Sequence, residues 1–139
     1  MEFSIGALAR EAGVKVPTIR YYEQIGLLAA PQRTEGGQRR YDAEAAARLK
    51  FVRHARELGF EIEAIRELLD LTGTPERSCA AVDAIARRHL EDIEARMRRL
   101  AALRDELQRM VVECGHGRVA ECRVLHTLAD HRLCAHARH

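Results

Sequence analysis

For its first half the chain alternates short amphipathic stretches with glycine stops; beyond that it runs as one uninterrupted amphipathic stretch. Ser4 precedes Ile5, Leu8, Ala9 and Ala12, spaced for one helical face, and Gly13 supplies a left-handed stop, predicting a first helix over residues 5–12. A second short helix is predicted over residues 16–25, with Pro17 in the first turn, where its missing N–H is harmless, and Gly26 at the end. Two short helices around a tight glycine-containing turn make a helix-turn-helix, with Thr18, Arg20 and Tyr21 on the outward face of the second. Gly36-Gly37 then centres a segment flanked by Arg33, Arg39, Arg40 and Tyr41, the pattern of a charged hairpin or wing.

Asp42 is placed to cap a third helix over residues 43–58, in which Ala46, Leu49, Phe51, Val52 and Ala55 are spaced for burial, and Gly59 breaks it. Ile62, Ile65, Leu68, Leu69 and Leu71 mark a fourth, ending near Thr72-Gly73-Thr74-Pro75. Between Cys79 and Cys114 there is no Gly or Pro, and Val82, Ile85, Leu90, Ile93, Met97, Leu100, Leu103, Leu107 and Met110 recur at helical steps. A head of about 75 residues cannot cover so long a stripe, and the chain offers no second long helix, so the expected partner is the same helix of another copy. Gly115 and Gly117 then mark a short loop, with a last helical turn or two from Cys122 and a histidine-bearing tail. The expected fold is mainly α. A winged helix-turn-helix head over 1–74 leads into a dimerisation helix over 75–113, then a metal-binding loop, short helix and tail over 114–139.

Composition narrows the function. The 139 residues are 32% charged and 4% aromatic, too polar and aromatic-poor for a large enzyme core, and no His-Glu-x-x-His motif supports a zinc hydrolase. An enzyme is not expected. The net charge of +2 is unevenly spread: residues 1–56 carry a net +4 and residues 57–139 a net −2. A basic head suits a nucleic-acid partner for that part alone. With neither a membrane-length apolar run nor a signal pattern, the expectation is a cytoplasmic protein without a membrane partner. In a reducing compartment its four cysteines are more readily metal ligands or reactive thiols than disulfides.

Cys114 and Cys122 flank seven residues that include His116, so two thiolates and a further candidate ligand bracket one short loop. Cys79 stands at the other end of the long helix, about 50 Å away at ~1.5 Å per residue. Metal–sulfur bonds of about 2.3 Å forbid one ion from joining them within a chain. If the coil is antiparallel, Cys79 of one subunit meets Cys114 and Cys122 of the other, giving two symmetric shared sites. A second metal site is a separate expectation, from His89 and Asp92 at i, i+3 together with His126, His131, Cys134, His136 and His139.

Ile5-Gly6-Ala7-Leu8-Ala9, Thr18-Ile19-Arg20-Tyr21-Tyr22-Glu23 and Gly26-Leu27-Leu28 resemble the head of the MerR family of transcription regulators. The runs Arg33 to Tyr41 and Leu49 to Phe60 continue the match, which extends over residues 3–130. The resemblance implies a winged-helix homodimer joined by an antiparallel coil, bound to promoter DNA and reaching RNA polymerase indirectly through that promoter. Such regulators activate by bending and untwisting DNA whose polymerase-recognition elements lie too far apart, readout through deformation. Carried over by position, the DNA contacts are Lys15, Thr18, Arg20 and Tyr21 on the recognition helix, Arg33, Arg39, Arg40 and Tyr41 on the wing, and Arg53 as a phosphate clamp. Cys79, Cys114 and Cys122, with His116 as an optional ligand, match the divalent soft-metal sensors, the cadmium/lead branch most nearly. The implied inducer is Cd, Pb, Zn or Hg, and the implied targets are heavy-metal resistance or efflux genes. Copper(I)-responsive members carry serine where Cys79 stands; copper(I) remains the alternative.

Overall fold

The computed structural model describes residues 2–33, 35–37, 39–114, 116–130 and 132. Its elements in chain order are α1 (Ile5–Ala12), α2 (Val16–Gln24), β1 (Gln32–Arg33), β2 (Arg39–Arg40), α3 (Ala43–Glu57), α4 (Ile62–Thr72), α5 (Ala80–Glu113) and α6 (Arg123–Ala129), with a 3₁₀ turn at Val119–Glu121 before α6. The fold is mainly helical, as the periodicity predicts. The chain divides into two compact units, Met1–Ile85 and Ala86–His139, so the first turns of α5 belong to the first unit. The expected segment boundary after residue 74 falls just past the end of α4 at Thr72.

In the first unit, local chemistry sets the element ends. The Ser4 hydroxyl accepts from the Ala7 amide at 3.2 Å and the Asp42 carboxylate from the Ala45 amide at 2.8 Å, so α1 and α3 both start on side-chain caps. Gly13 closes α1 at φ 71°. A Cβ there would also lie 2.1 Å from an Arg53 guanidinium nitrogen, so backbone conformation and close approach both call for glycine. Two arginines from later helices satisfy carbonyls beyond the end of α2: Arg48 Nε donates to Leu27 O at 2.6 Å and Arg66 Nη2 to Ile25 O at 2.9 Å.

β1 and β2 pair antiparallel, Gln32 opposite Arg40 and Arg33 opposite Arg39, across a turn in which Gly37 takes φ 78°. A bridge between Phe3 and Tyr41 ties the foot of this wing to the segment before α1. Beneath it Leu8, Ile19, Leu27, Tyr41, Leu49, Val52 and Ile65 form a closed core. Burial of each such aliphatic side chain contributes roughly 1.5–3 kcal/mol, which lets a small helical unit hold its shape.

In the second unit, α5 carries 34 residues in all, without a break. Leu100 and Leu107 remain 63% and 58% exposed, and Leu90, Met97, Val111 and Val112 are exposed with them. Leu100, Leu103, Leu107, Val111 and Val112 line an open apolar groove of about 790 Å³. Among the described residues no helix is long and apolar enough to cross a membrane.

Candidate functional site

The head offers an exposed basic surface. Lys15 ends the turn before α2, and Arg20 and Tyr21 project outward from α2, with Thr18 half-buried beside them. Pro17 fixes the first turn of α2, so Thr18, Arg20 and Tyr21 leave a preset backbone. On the wing Arg33 is exposed and Arg40 half-buried; Arg39 lies in β2, and its side chain is outside the described set. Arg53 is anchored rather than loose: its Nε meets Glu57 Oε1 at 3.1 Å, and its Nη1 approaches Ala12 O at 3.5 Å. That places a half-exposed guanidinium at the C-terminal end of α1, beside Gly13.

Tyr41 stands apart from the other expected DNA contacts. It is buried, and its hydroxyl donates to Glu23 near the end of α2. A ring closed in by the core cannot present itself to a groove, so in this structure Tyr41 supports the wing from below. The tyrosine's place in an arginine-rich run suggests a surface role, and only the tertiary bridge to Phe3 reveals the buried one.

The second chemical centre lies at the far end of α5. Cys114 follows its last residue, and Cys122 is the N-cap residue of α6. Both are half-buried free thiols, whereas Cys79, just before α5, is exposed. The amides of Leu125 and Val124 favour the Cys122 thiolate and hold its pKa below the ordinary thiol value. Partial desolvation pushes the other way, and the Cys114 side chain adds to the lowering. Cys114 and Cys122 thus stand at the two ends of one short loop with the Cys122 thiolate favoured, a donor pair that suits a soft ion.

His116 lies in the intervening loop at φ 55°, exposed. Of the expected second site, His89 is half-buried and Asp92 exposed on α5, while His131, Cys134, His136 and His139 lie outside the described residues. His126, in α6, places Nε2 2.8 Å from Ala120 O in the preceding 3₁₀ turn. Among the described residues, no group of three His, Cys, Asp or Glu side chains comes together to hold a metal ion. The root of the cysteine loop is closed by an ion pair that the sequence pattern does not announce, Arg123 Nε to Glu113 Oε2 at 2.7 Å. It joins residues ten apart, a spacing that no helical periodicity signals.

The family described as MerR HTH family regulatory protein matches residues 3–72, and the one described as MerR, DNA binding matches residues 46–110. The chain belongs to the MerR family. That family consists of DNA-binding transcriptional regulators, not enzymes. The HTH-type transcriptional regulator ZntR of Escherichia coli K12 is 43% identical over 113 residues, covering 81% of this chain and 80% of its own length. Among solved structures, the transcription regulator PbrR691 of Ralstonia metallidurans CH34, in complex with lead(II), superposes with a TM-score of 0.80 at 36% identity, covering 91% of this chain and 98% of that one. The regulator MerR of Bacillus megaterium MB1, in complex with mercury(II), reaches 0.70 at 30% identity, over 91% and 99% of the two chains. These similarities extend past the head into the region of the cysteines.

Proposed function

We propose that this MerR-family member is a cytoplasmic, metal-responsive regulator. In this reading it binds a promoter as a homodimer and activates heavy-metal resistance or efflux genes when a divalent soft metal is present. The observation that carries it is a matched but incomplete donor set: Cys114 and Cys122 end one short loop whose flanking Glu113 and Arg123 pair at 2.7 Å, and among the described residues no third ligand joins them. Cys79 of a second copy, exposed ahead of α5, is the missing donor. The exposed apolar stripe of α5 supports pairing of two copies, and the lead- and mercury-bound relatives support the soft-metal class.

When bound, a divalent soft ion would accept thiolates from both chains and so restrain their relative arrangement. The residues themselves do the rest. Lys15, Thr18, Arg20 and Tyr21 reach the groove, Arg33, Arg39 and Arg40 grip the backbone from the wing, and Arg53 clamps a phosphate. The dimer acts on polymerase through the shape of the promoter. Functionally, residues 1–74 bind DNA, 75–113 dimerise, and 114–139 sense.

The test is a reporter driven by the cognate promoter and challenged with Cd(II), Pb(II), Zn(II), Hg(II) and Cu(I). Cys79→Ser should abolish the divalent response while gel-shift affinity for the promoter changes little; a retained response would overturn the shared site. A mixed dimer of Cys79→Ser with Cys114→Ser/Cys122→Ser subunits should keep one working site. A response to copper(I) that survives Cys79→Ser would favour the two-thiolate copper reading instead.

A further inference from the structure

The cysteine loop is fastened at its root. Glu113 immediately precedes Cys114 and Arg123 immediately follows Cys122, and the two side chains pair at 2.7 Å. One turn back on α5, Arg109 reaches Glu113 Oε2 at 3.5 Å and Glu106 Oε2 at 2.7 Å. The Glu106 side chain is only 3% exposed, so the series Glu106, Arg109, Glu113, Arg123 runs from the buried interior of this unit to the residue beside the second thiol. Arg118 and Glu121 also pair, at 2.9 Å, but their side chains are 85% and 61% exposed. A pair so open to solvent does little to fix a loop.

Holding a loop shut before its ligand arrives removes part of the ordering cost of binding. We infer that Glu113 and Arg123 are positioning residues for the thiol pair: their ion pair, seated on Arg109 and Glu106, keeps Cys114 and Cys122 side by side in the metal-free protein. The benefit to sensing rests on the soft-metal reading above; the clamp itself belongs to the free chain and can be measured there.

The first measurement uses the full-length protein with Cys79→Ser and Cys134→Ser, metal-free, equilibrated in glutathione redox buffers. The fraction of Cys114–Cys122 disulfide then reports how often the two thiols meet. Arg123→Gln and Glu113→Gln should each lower the pairing constant by about fivefold. Arg123→Lys, which keeps the charge, should stay within about twofold, and Arg118→Gln should leave the constant unchanged. Unaltered pairing in Arg123→Gln and Glu113→Gln would overturn the clamp, as would an equal loss in Arg118→Gln. Should either single variant lose helix content, the Glu113→Gln/Arg123→Gln double variant, which leaves neither charge without its counterpart, takes its place.

The second measurement adds Cd(II) to the chain with all its cysteines and follows thiolate-to-metal charge-transfer absorbance against a competing chelator. Arg123→Gln should weaken Cd(II) binding by a similar factor, with Arg123→Lys restoring it; equal affinity in both variants would count against the clamp. If the unsubstituted protein developed no such band, the metal reading would fail while the disulfide measurement still decided the clamp.

Discussion

The two units treat their apolar residues in opposite ways. In the head, Leu8, Ile19, Leu27, Leu49, Val52 and Ile65 are closed away from water by helices of the same chain. In the second unit, Met110, Glu106 and Thr127 are the buried residues described, while Leu90, Met97, Leu100 and Leu107 stay in solvent along a helix with a regular apolar stripe. One region completes its core within a single polypeptide, and the other leaves a regular apolar stripe uncovered. The same division holds for chemistry: the exposed basic groups of the head all come from one chain, whereas the thiol pair lacks a third donor among the described residues.

This contrast can be broken at several points. Leu49→Ala should cost the head about 3 kcal/mol, measured by chemical denaturation and independent of protein concentration. Leu100→Asp with Leu107→Asp should instead weaken self-association by on the order of 2 kcal/mol in sedimentation equilibrium, with helicity of the head retained. A protein that stayed monomeric before and after those substitutions would remove the argument for a partner helix. Gly13→Ala should destabilise by about 1–2 kcal/mol, because it forces a left-handed backbone on alanine and displaces Arg53. If Arg53 grips phosphate, promoter affinity should drop with it.

The smallest effect concerns Cys122. Its depressed pKa means that the folded state favours the thiolate, so the contribution to stability is present above the ordinary thiol pKa and is lost as pH falls through the lowered one. Alkylation of Cys122 in the folded protein should therefore keep its rate to lower pH than in the urea-unfolded chain. Coincident pH profiles would argue against any bias from the amides of α6.

What could be read in advance follows the reach of the interactions. Ser4, Gly13, Asp42 and the stripe of α5 announce themselves because a cap, a stop or a period is settled within a few residues. Arg48 and Arg66 were invisible as supports of the turn after α2, since they act across 21 and 41 residues. Tyr41 was misleading for the same reason: its neighbours are charged, but its contacts are with Phe3 and Glu23. At the thiol centre the cysteines themselves were legible from spacing. The Glu113–Arg123 fastening was not, because it depends on how the loop between them folds back.

The hydrogen bond from Tyr41 to Glu23 has a mechanical consequence. Glu23 belongs to the recognition helix and Tyr41 to the root of the hairpin, so the two parts proposed to touch DNA share a common fastening. Torque applied to one is felt by the other, so a duplex held by both would meet one stiff jaw instead of independently adjusting fingers. Any twist imposed between the two halves of a dimer would then reach the double helix with little slack.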